Sequence, residues 1–226
     1  MPDLYYAPGC AQMLYKPHQA EPISQMLTKA LGKQPTLYPH CCHRQADLPP
    51  GSSIVNICPG CDRRFNAIYP GVSGVTVWEI LAGAEDLVLP DYQQAEMSIH
   101  DACPTRQKPK VTAAIRKLVE KMNIRIVEPQ KTKQHASCCG DSLYGKLAKD
   151  KLIARMSERA AEMPCDEVIV YCVSCTKAMH LGGKTPRYII DLLLGEATEP
   201  GECDPDLWHE QLKPYISGTV SLKELF

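Results

Sequence analysis

The sequence predicts an α/β fold of two pseudo-symmetric repeats, each a small, mostly parallel sheet covered by helices. Three observations predict it. Short apolar strand segments alternate with amphipathic helical ones, the pattern of parallel sheets with helical crossovers. The order strand–Cys, helix, strand–CysCys, strand–CysXXCys, helix, strand runs through the chain twice. Each motif cysteine stands at a strand end or in the loop after one, the edge at which such folds gather ligands.

The first repeat opens with "DLYYAPGC", a strand ending in Cys10. "PISQMLTKALGK" carries Ile23, Met26, Leu27, Ala30 and Leu31 on one helical face, with Pro22 near its first turn and Gly32 past its end. "PTLYP" is a strand leading to Cys41 and Cys42. "SSIVNIC" is a buried strand ending in Cys58, and "CPGCDRRFNAIYP" turns through Cys61 into a helix. "GVTVW" is a last strand and "EILAG" a helical turn.

The second repeat starts at "AEMSIHDAC", a strand ending in Cys103. "PKVTAAIRKLVEKMN" is a helix with Val111, Ile115, Leu118, Val119 and Met122 on one face. "IRIVEP" is a strand leading to Cys138 and Cys139, and "SLYGKLAKDKLIARMSERAAEM" reads as one long helix. "DEVIVYC" is a strand ending in Cys172, and "CVSCTKAMH" turns through Cys175 into a helix; "PRYII" and "DLLLG" close the unit. The repeats assign residues 1–93 to a first half, and 94–226 to a second half with a C-terminal extension. The halves differ: 16 positions separate Cys42 from Cys58, against 33 between Cys139 and Cys172. "HRQADLPPGSS" stands where the second half has its long helix, too short and Pro-rich to replace it.

With 44% hydrophobic and 23% charged residues, the 226-residue chain reads as globular. A net charge of −1 gives no electrostatic case for nucleic acid, and two Phe and two Trp give little for base stacking. "MPDLYYAPGC" has no signal-peptide character, and no run approaches the ~18 apolar residues of a transmembrane segment. The expected location is cytoplasmic, where twelve cysteines point to metal or redox chemistry rather than disulfides.

Adjacent cysteines do not pair readily with each other, because the disulfide would distort the peptide between them. Each half therefore gathers five sulfurs: Cys10, Cys41, Cys42, Cys58 and Cys61, then Cys103, Cys138, Cys139, Cys172 and Cys175. "CPGC" alone would suit a thioredoxin-like pair, but needs neither a CysCys nor a repeat. Zinc takes four ligands, so each set holds one thiol too many. An iron–sulfur cluster fits better, since its several irons let neighbouring thiolates bind different metals. Zinc in one half stays an alternative. Cys165 and Cys203 have no counterpart in the repeat and read as bystanders.

At these residues the chain resembles the cysteine-rich CCG domain family, which includes the catalytic B subunit of heterodisulfide reductase. The second copy, "HDAC…SCCG…CVSC", has the full family motif; the first, "PGC…HCCH…CPGC", keeps the five cysteines but has His43 in place of glycine. The resemblance implies two non-cubane four-iron four-sulfur clusters, each held by one five-cysteine set. It also implies a small disulfide or thiol substrate. The chain has no flavin fingerprint or ferredoxin module, so electrons must come from a donor protein, ferredoxin-like or a flavoprotein subunit. The expected function is an iron–sulfur oxidoreductase subunit. The alternatives are an electron-transfer or scaffold subunit of a larger dehydrogenase complex, or a zinc-binding structural protein.

Arg63, Arg64, Arg106 and Lys177 lie just beyond motif cysteines and are candidates to offset thiolate charge. His40, His43, His100 and His135 flank the motifs as candidate proton donors or substitute ligands, with ordinary packing as the plainer reading. "LGGKTP" lacks the phosphate-loop spacing. The shortened first half is expected to hold the more solvent-exposed centre.

Overall fold

The computed structural model describes residues 3–44 and 48–225. The chain divides into two compact units, Met1–Leu87 with His209–Phe226, and Val88–Trp208. Each holds one four-stranded, all-parallel sheet with helical crossovers, so the two halves are similar α/β structures.

In the first unit, β1 (Leu4–Ala7) runs into α1 (Cys10–Tyr15), a 3-10 turn and α2 (Ala20–Leu31). Then follow β2 (Thr36–Leu37), β3 (Ser53–Asn56), α3 (Pro59–Ile68), β4 (Ser73–Thr76) and α4 (Val77–Gly83). The sheet order is β2-β1-β3-β4, with Tyr5 opposite Thr36 and Tyr6 opposite Val55. α2 turns Ile23 and Leu27, both fully buried, to the core and packs on α4. Val77 and Trp78 were expected in the last strand but begin α4. A capping box explains the switch: Thr76 Oγ1 accepts from the Glu79 amide, and the Glu79 carboxylate accepts from the Thr76 amide. Among the described residues between Cys42 and Cys58 there is no helix, as the proline-rich segment predicted; Gln45–Asp47 of that segment lie outside the described residues.

The second unit has β5 (Ala95–Ile99), α5 (Pro109–Lys121), β6 (Ile124–Val127), α6 (Lys149–Ala161), β7 (Glu167–Val170), α7 (Val173–Leu181), β8 (Thr185–Tyr188) and α8 (Ile189–Leu194). Its order, β6-β5-β7-β8, repeats the first strand for strand. α6 is shorter than the sequence suggested. Residues Asp141–Leu143 form a separate 3-10 turn wrapped around Cys138, and the helix starts only at Lys149. α9 (Pro205–Ser217) and a 3-10 turn, Leu222–Leu225, end the chain, and that turn packs on α1.

Both sheets have a switch point. The chain leaves β1 for β2 on one side and returns to β3 on the other, and does the same from β5 to β6 and β7. At such a point the loops beyond the strand C-termini diverge and leave a crevice.

Candidate metal centre

The cysteines stand at these crevices. In the first unit Cys10 opens α1 beyond β1, Cys41 and Cys42 follow β2, Cys58 caps α3, and Cys61 lies in its first turn. Gly9 precedes Cys10 with φ +84°, and a Cβ there would come within 3.2 Å of Cys61 Sγ. Glycine lets the β1 loop close onto that sulfur. In the second unit Cys103 follows β5, Cys138 and Cys139 follow β6, Cys172 caps α7, and Cys175 lies in its first turn.

The five thiols of each set are near enough to act on one another in sequence, as a chain of neighbours. In the first set the order of interacting thiols is Cys10–Cys41–Cys42–Cys61–Cys58. In the second it is Cys103–Cys138–Cys139–Cys175–Cys172, the same order by position in the repeat. Cys10 and Cys41 Sγ lie 3.6 Å apart, and Cys139 and Cys175 Sγ 3.5 Å. These separations far exceed the ~2.05 Å of a disulfide. They are close to the ~3.8 Å between two thiolates on one tetrahedral metal with bonds of ~2.3 Å.

One thiolate per set is favoured, the first of the adjacent pair. Hydrogen bonds shared with Cys10 and Cys42 hold the Cys41 thiol down to about 3. Cys103, Cys139, the Ser142 hydroxyl at 2.9 Å and the Gly140 amide at 3.4 Å depress Cys138 likewise. Neighbouring thiols and then burial push Cys10, Cys61, Cys103 and Cys175 up. A cation with thiolate affinity replaces those protons, because its charge favours the deprotonated ligand. The amide ends of α3 and α7 add positive potential at Cys58, Cys61, Cys172 and Cys175. Clustered cysteines in both halves point to metal binding.

Residues 97–180 match the cysteine-rich CCG domain. No curated protein matches the chain. The CCG segment contains all five cysteines of the second set and reaches from β5 through α7.

The glycine of the CCG motif has a structural cause. Gly140 adopts φ +114°, and a Cβ there would meet Met156 Cγ, on α6, at 2.8 Å. The first half has no such helix among its described residues, and His43 occupies the corresponding position without a positive φ.

Within the CCG segment one carboxylate ties three cysteine-bearing loops together. Asp101, fully buried, accepts from both Arg116 terminal nitrogens (3.1 and 2.8 Å), Tyr171 Oη (3.0 Å), the Lys133 amide (2.7 Å) and Thr132 Oγ1 (3.0 Å). Tyr171 Oη also takes the Ala102 amide at 3.0 Å. The loops leading to Cys103, Cys138 and Cys172 thus meet at Asp101. Sequence reasoning missed this residue. Its signal was an acid directly after a buried apolar strand, at the position of Pro8 in the first half.

The candidate charges serve the scaffold. Arg64 Nε donates to the Cys42 carbonyl (3.0 Å) and Arg106 Nε to that of Ala136 (2.7 Å), so each holds the loop of one CysCys pair from a different place in the repeat. Lys177 Nζ donates to the Pro200 and Glu202 carbonyls (2.8 and 2.7 Å) and sits 4.3 Å from the Trp208 ring centre. Arg63 is exposed. Lys184, in "LGGKTP", caps the carbonyls of Met163 and Cys165.

The expected difference in exposure is reversed. In the first set only Cys58 is partly exposed; in the second Cys103, Cys138 and Cys172 are. The C-terminal segment supplies the missing cover. Tyr215, Val220 and Leu222 line a cavity of about 250 Å³ with His40 and Cys41, and Leu222 is buried.

Cys165 and Cys203 are partly exposed and stand outside both thiol chains; Cys203 Sγ bonds the Gly201 carbonyl. His43 and His135 are exposed, and His40 is partly so. His100 is different: it is fully buried, and one of its ring nitrogens lies within 4.8 Å of Cys139 and Cys175 Sγ.

Proposed function

We propose that the chain is an iron–sulfur oxidoreductase subunit. Each five-cysteine set holds one non-cubane four-iron four-sulfur cluster, and the chain reduces a small disulfide or oxidises a small thiol. The observation that carries the reading is the five-membered thiol chain, which recurs in the same order in both halves. A single tetrahedral zinc would leave one thiol of each chain over. Several irons accommodate all five and give adjacent cysteines different metals.

Such clusters supply single electrons and an iron that can take a sulfur ligand. The chain's own residues do the rest. Asp101 fixes the three ligand loops, the α3 and α7 amides offset thiolate charge, and partly exposed Cys103, Cys138 and Cys172 leave the second centre open to a small molecule. Reducing one disulfide takes two electrons and two protons and yields two thiols. The electrons come from a donor protein, ferredoxin-like or a flavoprotein subunit. Among the described residues no helix is long and apolar enough to cross a membrane.

The test is turnover. Anaerobically purified protein, given a reduced viologen, should reduce a small disulfide with two viologens oxidised per disulfide. Clusters that exchange electrons with viologen while no disulfide is consumed would make the chain a relay and reject the catalytic reading.

A further inference from the structure

Arg159 donates from Nε to His100 Nδ1 at 3.1 Å. A guanidinium has only donors, so Nδ1 carries the lone pair and the neutral ring keeps its proton on Nε2. Arg159 is itself fully buried, held by the Glu162 carboxylate and by the Lys131 carbonyl at 3.1 Å. The tautomer is therefore set from behind the ring. His100 Nε2 is buried and has no hydrogen-bond partner among the described residues. A buried donor left unpaired loses its hydration with nothing in return, so such groups normally have an acceptor. One ring nitrogen lies within 4.8 Å of the Cys139 and Cys175 sulfurs.

A ligating histidine has the opposite arrangement: it donates its second ring N–H to an acceptor and offers its lone pair to the metal. Here the second nitrogen faces a donor. His100 is thus built to give a proton-bearing nitrogen to the site. The device belongs to the second half alone. Three residues before Cys10, where His100 stands before Cys103, is Ala7. Arg159 lies on α6, the helix that the described first half lacks.

We propose that His100 donates its Nε2–H to sulfur at the second centre, as a neutral hydrogen bond that raises that centre's reduction potential, with Arg159 as the positioning residue. The proposal rests on the iron–sulfur reading above. An N–H dipole pointing at sulfur stabilises the reduced, more negative state, and hydrogen bonds to sulfur are among the factors that set cluster potentials.

The experiment compares wild type, His100→Leu and His100→Gln, purified anaerobically. Iron and sulfide are assayed, and EPR-monitored redox titration follows both centres; the second is assigned as the signal lost in Cys139→Ser. His100→Leu should keep its iron and sulfide while the second centre's midpoint falls and the first's stays. His100→Gln, which retains a side-chain N–H near the Nε2 position, should recover most of the shift. Unchanged potentials in His100→Leu would overturn the proposal, and so would loss of the second centre's iron in both variants, the mark of a ligand. Should His100→Leu fail to fold, pulsed EPR of wild type with nitrogen-15 histidine decides: a weak coupling absent from His100→Gln upholds the donor, and a strong or absent one rejects it. If the protein holds zinc and no iron, the iron reading fails by itself. Nitrogen-15 NMR of that zinc protein then reads the tautomer, where a proton on Nε2 upholds the donor role and a metal on Nε2 rejects it.

Discussion

Gly140 backs directly onto Met156: a Cβ on the glycine would lie 2.8 Å from the methionine Cγ. The glycine of the motif is thus a packing requirement of α6 as well as a turn residue, since its φ of +114° disfavours any side chain. Gly140→Ala should destabilise the protein by about 2–6 kcal/mol, combining backbone strain and overpacking of roughly 1–3 kcal/mol each. Met156→Ala in the same chain should recover the steric part and not the strain, giving measurable coupling in a double-mutant cycle. His43→Gly should change stability by about 1 kcal/mol or less. Thermal melts of anaerobic protein check all three, and a neutral Gly140→Ala would remove the explanation for the glycine.

The thiol chains separate ligands from bystanders. Serine at Cys139 or Cys172 should strip the second centre and leave the first, because a hydroxyl is a poor replacement for thiolate on iron. Serine at Cys165 or Cys203, which stand outside both chains, should leave the visible spectrum intact. Loss of colour from Cys203→Ser equal to that from Cys139→Ser would show that the ligand sets are misassigned.

Much of this was legible because metal-ligand loops sit at strand ends, and strands and cysteines repeat together. The all-parallel sheets and the grouping of cysteines at two crevices follow from that spacing. What escaped depends on contacts between elements distant in sequence. "SLYG" reads as the first turn of the long helix that follows it, yet Ser142 turns back onto Cys138 and the helix starts later. Exposure of the first set was misjudged because the cover comes from Tyr215–Leu222, far along the chain. His100 was only one of four flanking histidines. The cue that would have singled it out is Arg159, a charge inside the apolar stripe of Leu152, Met156, Ala160 and Met163. A cation in such a stripe needs a buried partner.

Exposure sets the order of oxidative loss. Only Cys58 of the first set is partly exposed, against Cys103, Cys138 and Cys172 of the second. Oxygen should therefore bleach the second centre first. Variants that retain one centre each, followed by absorbance after mixing with air, give the two rates. Faster loss from the first centre would contradict the role assigned to the C-terminal cover.

The central claim is that each five-thiol chain binds an iron–sulfur cluster, and its most direct test is metal and sulfide analysis of anaerobically purified protein. The account predicts brown protein with iron and acid-labile sulfide in equal amounts, enough for two four-iron clusters per chain, and half of both after Cys139→Ser. Colourless protein with zinc and no sulfide would contradict it.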